Sequence, residues 1–328
     1  MMKKILMIKE MPWEAIPTPE SNFNVLLIPG QRRIPIYWGK SSRGQYLLIV
    51  ELDGDHTLQF PKDGVSIRGI AVDLRKSERF ECQNLVLSLE KLIDQDLFLG
   101  LCQTLITNLD PVTDPAIALA LSLVHLKRWK AFLLGRNAQL LSPEEIRGLF
   151  AELLFLKTLL SEYGETEAVE AWCGADRVQQ DFIFRNTAVE IKSLSGKERN
   201  AVRISSEDQL ESLTEHLFLK VYHLSTISDS LGGTTLNEMV LQIQAILTEA
   251  SVHDAYEQRL VAYGYVPLSE YDHPRFTVTA DRTYQVIEKF PRIVRKLVAV
   301  GLTRISYDIE LEVIEEFACK PEKIFREE

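Results

Sequence analysis

The N-terminal part of the chain carries its apolar residues in short β-rich runs rather than in helical stripes. Residues 25–28, 34–38, 46–52, 65–72 and 85–89 are such runs, broken by Pro29-Gly30, residues 41–44, Asp53-Gly54-Asp55 and Lys62-Asp63-Gly64. Phe23, Val25 and Leu27 alternate with Asn24 and Leu26, which predicts one apolar face. Five short strands with regular breaks suggest a small antiparallel sheet or barrel, a natural binding or docking domain. From about residue 91 to 136 the period becomes helical. Leu92, Leu97, Leu99, Leu101, Leu105 and Ile106 precede a turn at residues 108–115, and Ile117, Leu119, Leu121, Val124 and Leu126 come after it.

Ser142-Pro143-Glu144-Glu145 then reads as a helix start: a serine cap, proline in the first turn, and Glu145 completing a capping box. The helix it opens contains Glu152, whose neighbours at three and four residues are Gly148, Leu149, Phe155 and Leu156. Either that carboxylate is buried and needs a partner or a metal, or it lies at the edge of the stripe and reaches water. Residues 167–172 read as a strand and 174–180 as a polar loop. Asp181 leads a strand over 182–184, residues 185–187 turn, and 188–193 return as a strand. Residues 235–262 read as helical, with a further helix near 283–298 and a strand near 303–313.

Composition narrows the class. At 328 residues, 46% apolar and 26% charged, the chain suits a soluble globular protein of about two domains. Cys82, Cys102, Cys173 and Cys319 have no CxxC spacing, which speaks against a disulfide framework or zinc site and for a reducing, cytoplasmic setting. The apolar stretch at residues 5–8 ends at Lys9 and Glu10, too short for a secretory signal, and no run long enough for a membrane span exists. The net charge of −10 argues against wholesale wrapping of nucleic acid. Cations are nevertheless concentrated locally: Arg275, Arg282, Lys289, Arg292, Arg295, Lys296 and Arg304 stand against Asp281 and Glu288, before a tail rich in Glu310, Glu312, Glu315, Glu316, Glu327 and Glu328. Both runs also fit a solvated surface. Lys127, Arg128 and Lys130 around Trp129 fit either a nucleic-acid contact or a helix end facing water.

The chemistry lies in the hairpin. Strand period two puts Glu190 and Lys192 on one face and Val189 and Ile191 on the other. Pairing of the two strands brings Asp181 near Glu190 at one end of the sheet. Two carboxylates suit Mg2+, with Mn2+ as a substitute, and a lysine beside them can orient water and offset transition-state charge. No GxxxxGK[ST], GxSxG or HExxH pattern points elsewhere. His216 and His223 do not share a strand face and read as structural.

Glu152, Asp181 and Glu190-Ile191-Lys192 in this order resemble the PD-(D/E)XK nuclease core of helix, three strands, helix, strand. Val202-Arg203-Ile204-Ser205-Ser206-Glu207-Asp208-Gln209 continues the pattern as a short strand leading into a serine-capped helix, and residues 217–224 as the later strand. Residues 148–156, the Trp172-x-Gly174 pair, Asp181-Phe182, residues 189–193 and Ile204-Ser205-Ser206 are together similar to a bacterial branch of PD-(D/E)XK motif proteins associated with restriction and phage-defence loci. The resemblance departs at one position, where Gln180 precedes Asp181 instead of proline. It implies a restriction-endonuclease-like core in an α/β (α+β) protein, with metal held by Asp181, Glu190, the Ile191 backbone carbonyl and Glu152. Lys192 is then catalytic, and Gln209 and Ser206 are candidates for positioning substrate; Gln209 reads equally as an exposed helical residue.

The expected organisation is a β-rich domain over 1–95, a helical connector over 96–141, and a nuclease-like domain over 142–328 with a helical C-terminal elaboration. The expected function is Mg2+-dependent hydrolysis of DNA phosphodiesters in a restriction or defence system, with partner proteins and a homodimer both compatible. The alternative is a catalytically silent subunit that binds DNA or a partner. RNA as the substrate is not separated from DNA by any base-reading motif.

Overall fold

The structure, a computed structural model, describes residues 11–325 apart from 31, 61–64, 68, 78, 80, 91–93, 135–139, 175–178, 197–199, 212–213 and 228–231. The Lys62-Asp63-Gly64 turn, the apolar stretch at 5–8, most of the 174–180 loop and Glu327-Glu328 lie outside these residues. The chain forms two compact units, Met1–Ala138 and Gln139–Glu328.

In the first unit, β1 (Phe23–Leu27), β2 (Ile36–Ser41), β3 (Tyr46–Asp53), β4 (Val65–Ile67), β5 (Ile70–Lys76) and β6 (Cys82–Leu89) form an antiparallel sheet in the order β1-β2-β3-β6-β5-β4. The 65–72 run, read as one strand, is a hairpin instead: Gly69 at φ 74 makes the reversal, a conformation that glycine adopts without strain. The edge strand β1 departs from the expected apolar face, because Val25, Leu26 and Leu27 are all exposed. Central β3 and β6 are buried nearly throughout, as strands flanked on both sides should be. Helices α1 (Gln95–Leu109) and α2 (Pro115–Leu134) belong to the same unit. Trp13 is fully buried, donates its indole N–H to Leu47 O at 2.8 Å, and packs against Trp38, Tyr46 and Phe98. Trp129 is buried too, while Lys127 is exposed and Arg128 and Lys130 are half-buried.

The second unit holds α3 (Pro143–Tyr163), α4 (Glu165–Ala171), β7 (Phe182–Phe184), β8 (Thr187–Ser195), β9 (Ala201–Ile204), β10 (His216–Ile227), α5 (Leu236–Gln244), α6 (Ala250–Tyr263), β11 (Arg275–Gln285), β12 (Tyr307–Glu310) and β13 (Ala318–Cys319). The main sheet runs β13-β11-β10-β8-β7, with β8 and β10 parallel and the other pairs antiparallel; β9 and β12 make a separate two-stranded sheet. The capping box at α3 is present, with Glu145 N donating to Ser142 Oγ at 3.2 Å and Ser142 N donating to Glu145 Oε2 at 2.8 Å. Such a cap contributes about 1 kcal/mol and fixes where the helix starts. Phe155 meets Phe182 edge-on at 4.8 Å, and Phe150 meets Phe276 at 4.9 Å, so α3 covers the face that bears Val189 and Ile191. The opposite face packs Ala188 and Leu194 against Val202, Ile204, Leu210, Ile309 and Leu311.

The fold is α/β, and several predicted elements differ from those observed. Residues 167–172 lie in α4, not a strand: Gly164 ends α3, and Glu165 and Glu167 then occupy a helix first turn, where acids are favoured. Residues 207–210 form turns, not a serine-capped helix, because the Gln209 side chain accepts from the Ser205 N–H of its own segment and Glu207 accepts from the Ile305 N–H of a distant one. The helix near 283–298 is absent: Thr283 and Tyr284 lie in β11, and Pro291 interrupts the remainder, leaving a short 3-10 turn at Arg295–Leu297. The C-terminal elaboration is therefore α5 and α6 succeeded by strands and 3-10 turns. Among the described residues no helix is long and apolar enough to cross a membrane.

Candidate active site

A two-residue turn at Arg185-Asn186 joins β7 to β8, with Arg185 at φ 47. The register Phe182↔Val189 leaves Asp181 just ahead of β7, beside Glu190. Asp181 Oδ2 accepts from the Ile191 N–H at 2.7 Å, and its backbone carbonyl accepts from Cys173 N at 2.8 Å and Gly174 N at 3.1 Å. A strand residue sends its N–H and C=O out from the same edge. The Ile191 carbonyl therefore also leaves β8 on the Asp181 side, past the start of β7. Glu190 is 1% exposed, and both its carboxylate oxygens are buried without a hydrogen-bond donor of good geometry. Lys192 Nζ lies 2.7 Å from Glu190 Oε1 as an ion pair, and donates to Gln209 Oε1 at 3.3 Å.

Glu152 is buried on α3, which decides between its two readings. The Trp172 indole donates to its Oε2 at 2.8 Å, and the Tyr263 hydroxyl bonds to it as well. The acids perturb one another. Burial, then the charges of Asp181 and Glu190, push Glu152 well above the carboxylate range. Burial raises Asp181, opposed by Lys192 and the Ile191 N–H. Burial and then Asp181 raise Glu190 to about 8. Burial works to lower Lys192, but the negative charges of Glu190 and Asp181 outweigh it and hold the lysine above its ordinary value. Acids this crowded call for compensating positive charge.

The family model described as "Putative PD-(D/E)XK family member, (DUF4420)" matches residues 9–312. The chain belongs to this family. No curated protein and no solved structure gives a significant match. The DUF4420 match spans both units, not only the segment that carries the acids.

Membership of a PD-(D/E)XK family implies a divalent metal, and the donors of this DUF4420 chain fit one. Glu190 has two buried oxygens without well-aligned hydrogen-bond donors, next to the Asp181 carboxylate and the Ile191 carbonyl, which together make a hard-oxygen set. Gly174 leaves room at the same place: a Cβ there would lie 2.4 Å from Glu152 Oε2 and 3.4 Å from Asp181 Oδ1. Among the described residues no three His, Cys, Asp or Glu side chains converge as a metal cluster.

Gln180, where the motif's proline would stand, is buried, and its Nε2 lies 3.2 Å from the Asp208 and Gln209 carbonyls and 2.9 Å from that of Glu211. It ties the 208–211 turn to the start of β7. On that turn Gln209 Oε1 accepts both from Lys192 and, at 2.7 Å, from Ser205 N. Gln209 therefore contacts the lysine from a turn and not from a helix. Ser206 sits in the bend before it, where its carbonyl accepts from Gln209 N at 3.3 Å.

Sequence reasoning missed Tyr263, at the end of α6, and Arg259, whose Nε donates to Trp172 O at 2.8 Å. Nothing near either residue in the chain marks it. The Trp172-x-Gly174 spacing was the signal for the other two parts of the Glu152 pocket.

Proposed function

We propose that this chain is a Mg2+-dependent nuclease hydrolysing DNA phosphodiesters, endonuclease-like, with Mn2+ as a substitute ion, acting in the cytoplasm within a restriction or phage-defence system. The carrying observation is the Glu190 carboxylate, buried beside Asp181 and Lys192 with no well-aligned hydrogen-bond donor to either oxygen. Burying a charge this way costs several kcal/mol unless something compensates it, which is a reason for the site to be kept for chemistry. Asp181, Glu190 and the Ile191 carbonyl would hold the ion. Once bound it would polarise a phosphoryl oxygen and acidify a water. Lys192 would orient the attacking water and offset charge on the phosphorane-like transition state. Gln209 would fix the lysine's reach, and Glu152, held by Trp172 and Tyr263, would keep Asp181 in place or take a metal-bound water.

A second reading has its own observation. The 2.7 Å contact between Lys192 and Glu190 neutralises the pair internally, as it would in a silent DNA- or partner-binding subunit. One experiment separates the two: incubation of supercoiled and linear DNA with the purified chain, with and without Mg2+ or Mn2+, beside Asp181→Asn. Metal-dependent cleavage that the variant lacks supports the nuclease. Binding without cleavage, equal in both proteins, supports the subunit.

A further inference from the structure

The stretch 289–306 carries Lys289, Arg292, Arg295, Lys296 and Arg304 and no acid, in a chain of net charge −10. Two of these cations are committed to bonds within the protein. Arg292 Nη1 donates to Leu210 O at 2.6 Å, and Arg295 Nη1 donates to Glu207 Oε1 at 2.8 Å and to Leu302 O at 2.9 Å. Glu207 is itself buried, and its other oxygen accepts from Ile305 N at 2.9 Å, so one carboxylate grips both ends of the 295–305 loop. Glu211 Oε2 adds a bond from Arg295 N at 3.1 Å. The anchors Glu207, Leu210 and Glu211 all belong to the turn that presents Gln209 to Lys192.

The outer side of the loop has a different character. Lys289, Lys296 and Arg304 are exposed, and none has an ion-pair partner among the described residues. Between them Leu297 is 72% exposed, Val300 105% and Leu302 56%. Apolar residues held out into water cost free energy, and here a buried acid holds them there. Cations flanking apolar tips suit a DNA groove, where the cations meet phosphates and apolar side chains wedge against base steps. An acidic chain also needs its cations gathered at one place to bind a polyanion.

We propose that the 295–304 loop is the duplex-DNA-gripping element of this protein, with Lys296 and Arg304 on phosphates and Leu297 and Val300 against the groove. The inference rests on the nuclease reading for its choice of DNA, and its test reads binding alone. Fluorescence anisotropy of a labelled random-sequence duplex would be tracked across NaCl concentrations with metal chelated by EDTA. The double variant Lys296→Gln/Arg304→Gln should weaken binding about tenfold or more at low salt and flatten the log–log salt slope by about two units, near 0.9 per phosphate lost. Leu297→Ser/Val300→Ser should weaken binding severalfold at an unchanged slope. Lys127→Gln, which removes an exposed cation from the first unit, should change neither. Thermal midpoints equal to wild type would confirm that the loop variants fold.

Three outcomes overturn the proposal: a wild-type chain that does not retain the duplex, loop variants that bind like wild type, or a Lys127→Gln loss as large as theirs. An apolar tip that serves a protein partner would give the second of these. Cleavage is not read in this assay, so the nuclease reading stands or falls separately on the Asp181→Asn comparison.

Discussion

A Cβ added at Gly174 would lie 2.4 Å from Glu152 Oε2, an oxygen that Trp172 already holds at 2.8 Å. Glu152 is buried between its partners and has little room to give way. Gly174→Ala should therefore destabilise the second unit by about 1–3 kcal/mol, the usual cost of overpacking, and reduce hydrolysis by at least about tenfold, because the displaced carboxylate presses on Asp181. Shortening the obstacle in Gly174→Ala/Glu152→Ala should recover most of the stability. Urea unfolding of the two variants checks this, and a neutral Gly174→Ala would contradict the packing described.

Asp181→Asn, Glu190→Gln and Lys192→Ala should each lower metal-dependent cleavage by on the order of 100-fold or more, the scale of removing an electrostatic stabiliser from a transition state. Their far-ultraviolet circular dichroism should match wild type. Glu152→Gln should lose less than the three, since Glu152 is already bonded to Trp172 and Tyr263. Equal activity of Asp181→Asn and wild type would remove these residues from the mechanism.

Gln180 makes a different kind of prediction. Its amide is the tie between the start of β7 and the 208–211 turn. Gln180→Leu should cost about 1–3 kcal/mol by leaving buried carbonyls unsatisfied and should speed hydrogen exchange on that turn. It should also lower kcat more than KM, through loosening of Gln209 against Lys192. Gln180→Pro, which installs the residue common in the superfamily, should behave no better.

The parts of the site legible in the sequence were those carried by local rules. Ser142 and Glu145 mark the start of α3, the strand period puts Glu190 and Lys192 on one face, and the short turn at Arg185-Asn186 returns Asp181 towards them. The misread elements depended on partners far along the chain. β11 is a strand because β10 and β13 pair with it, and the 206–211 segment turns because Arg295 and Ile305 claim Glu207. Tyr263 reaches Glu152 from an element more than a hundred residues downstream, which no local pattern encodes.

Stability of the first unit should carry a pH signature from His125. The ring is buried among Leu101 O, Thr104 and Asn108, and burial pushes its pKa down from 6.5 to about 4. Below pH 6.5 the unfolded chain takes up the proton while the folded ring stays neutral. Stability is then lost as pH falls from 6.5 towards about 4, by up to about 3 kcal/mol. Urea midpoints for wild type should drop between neutral and mildly acidic pH, and His125→Gln should flatten that drop. A wild-type midpoint unchanged across the window would contradict the assignment.

The most direct test of the central claim is calorimetric titration of Mn2+, standing in for Mg2+, into wild type and Asp181→Ala. Wild type should bind Mn2+ saturably, and this binding should disappear in the variant. No binding by wild type, or binding that survives loss of Asp181 unchanged, would contradict a metal centre built on Asp181 and Glu190.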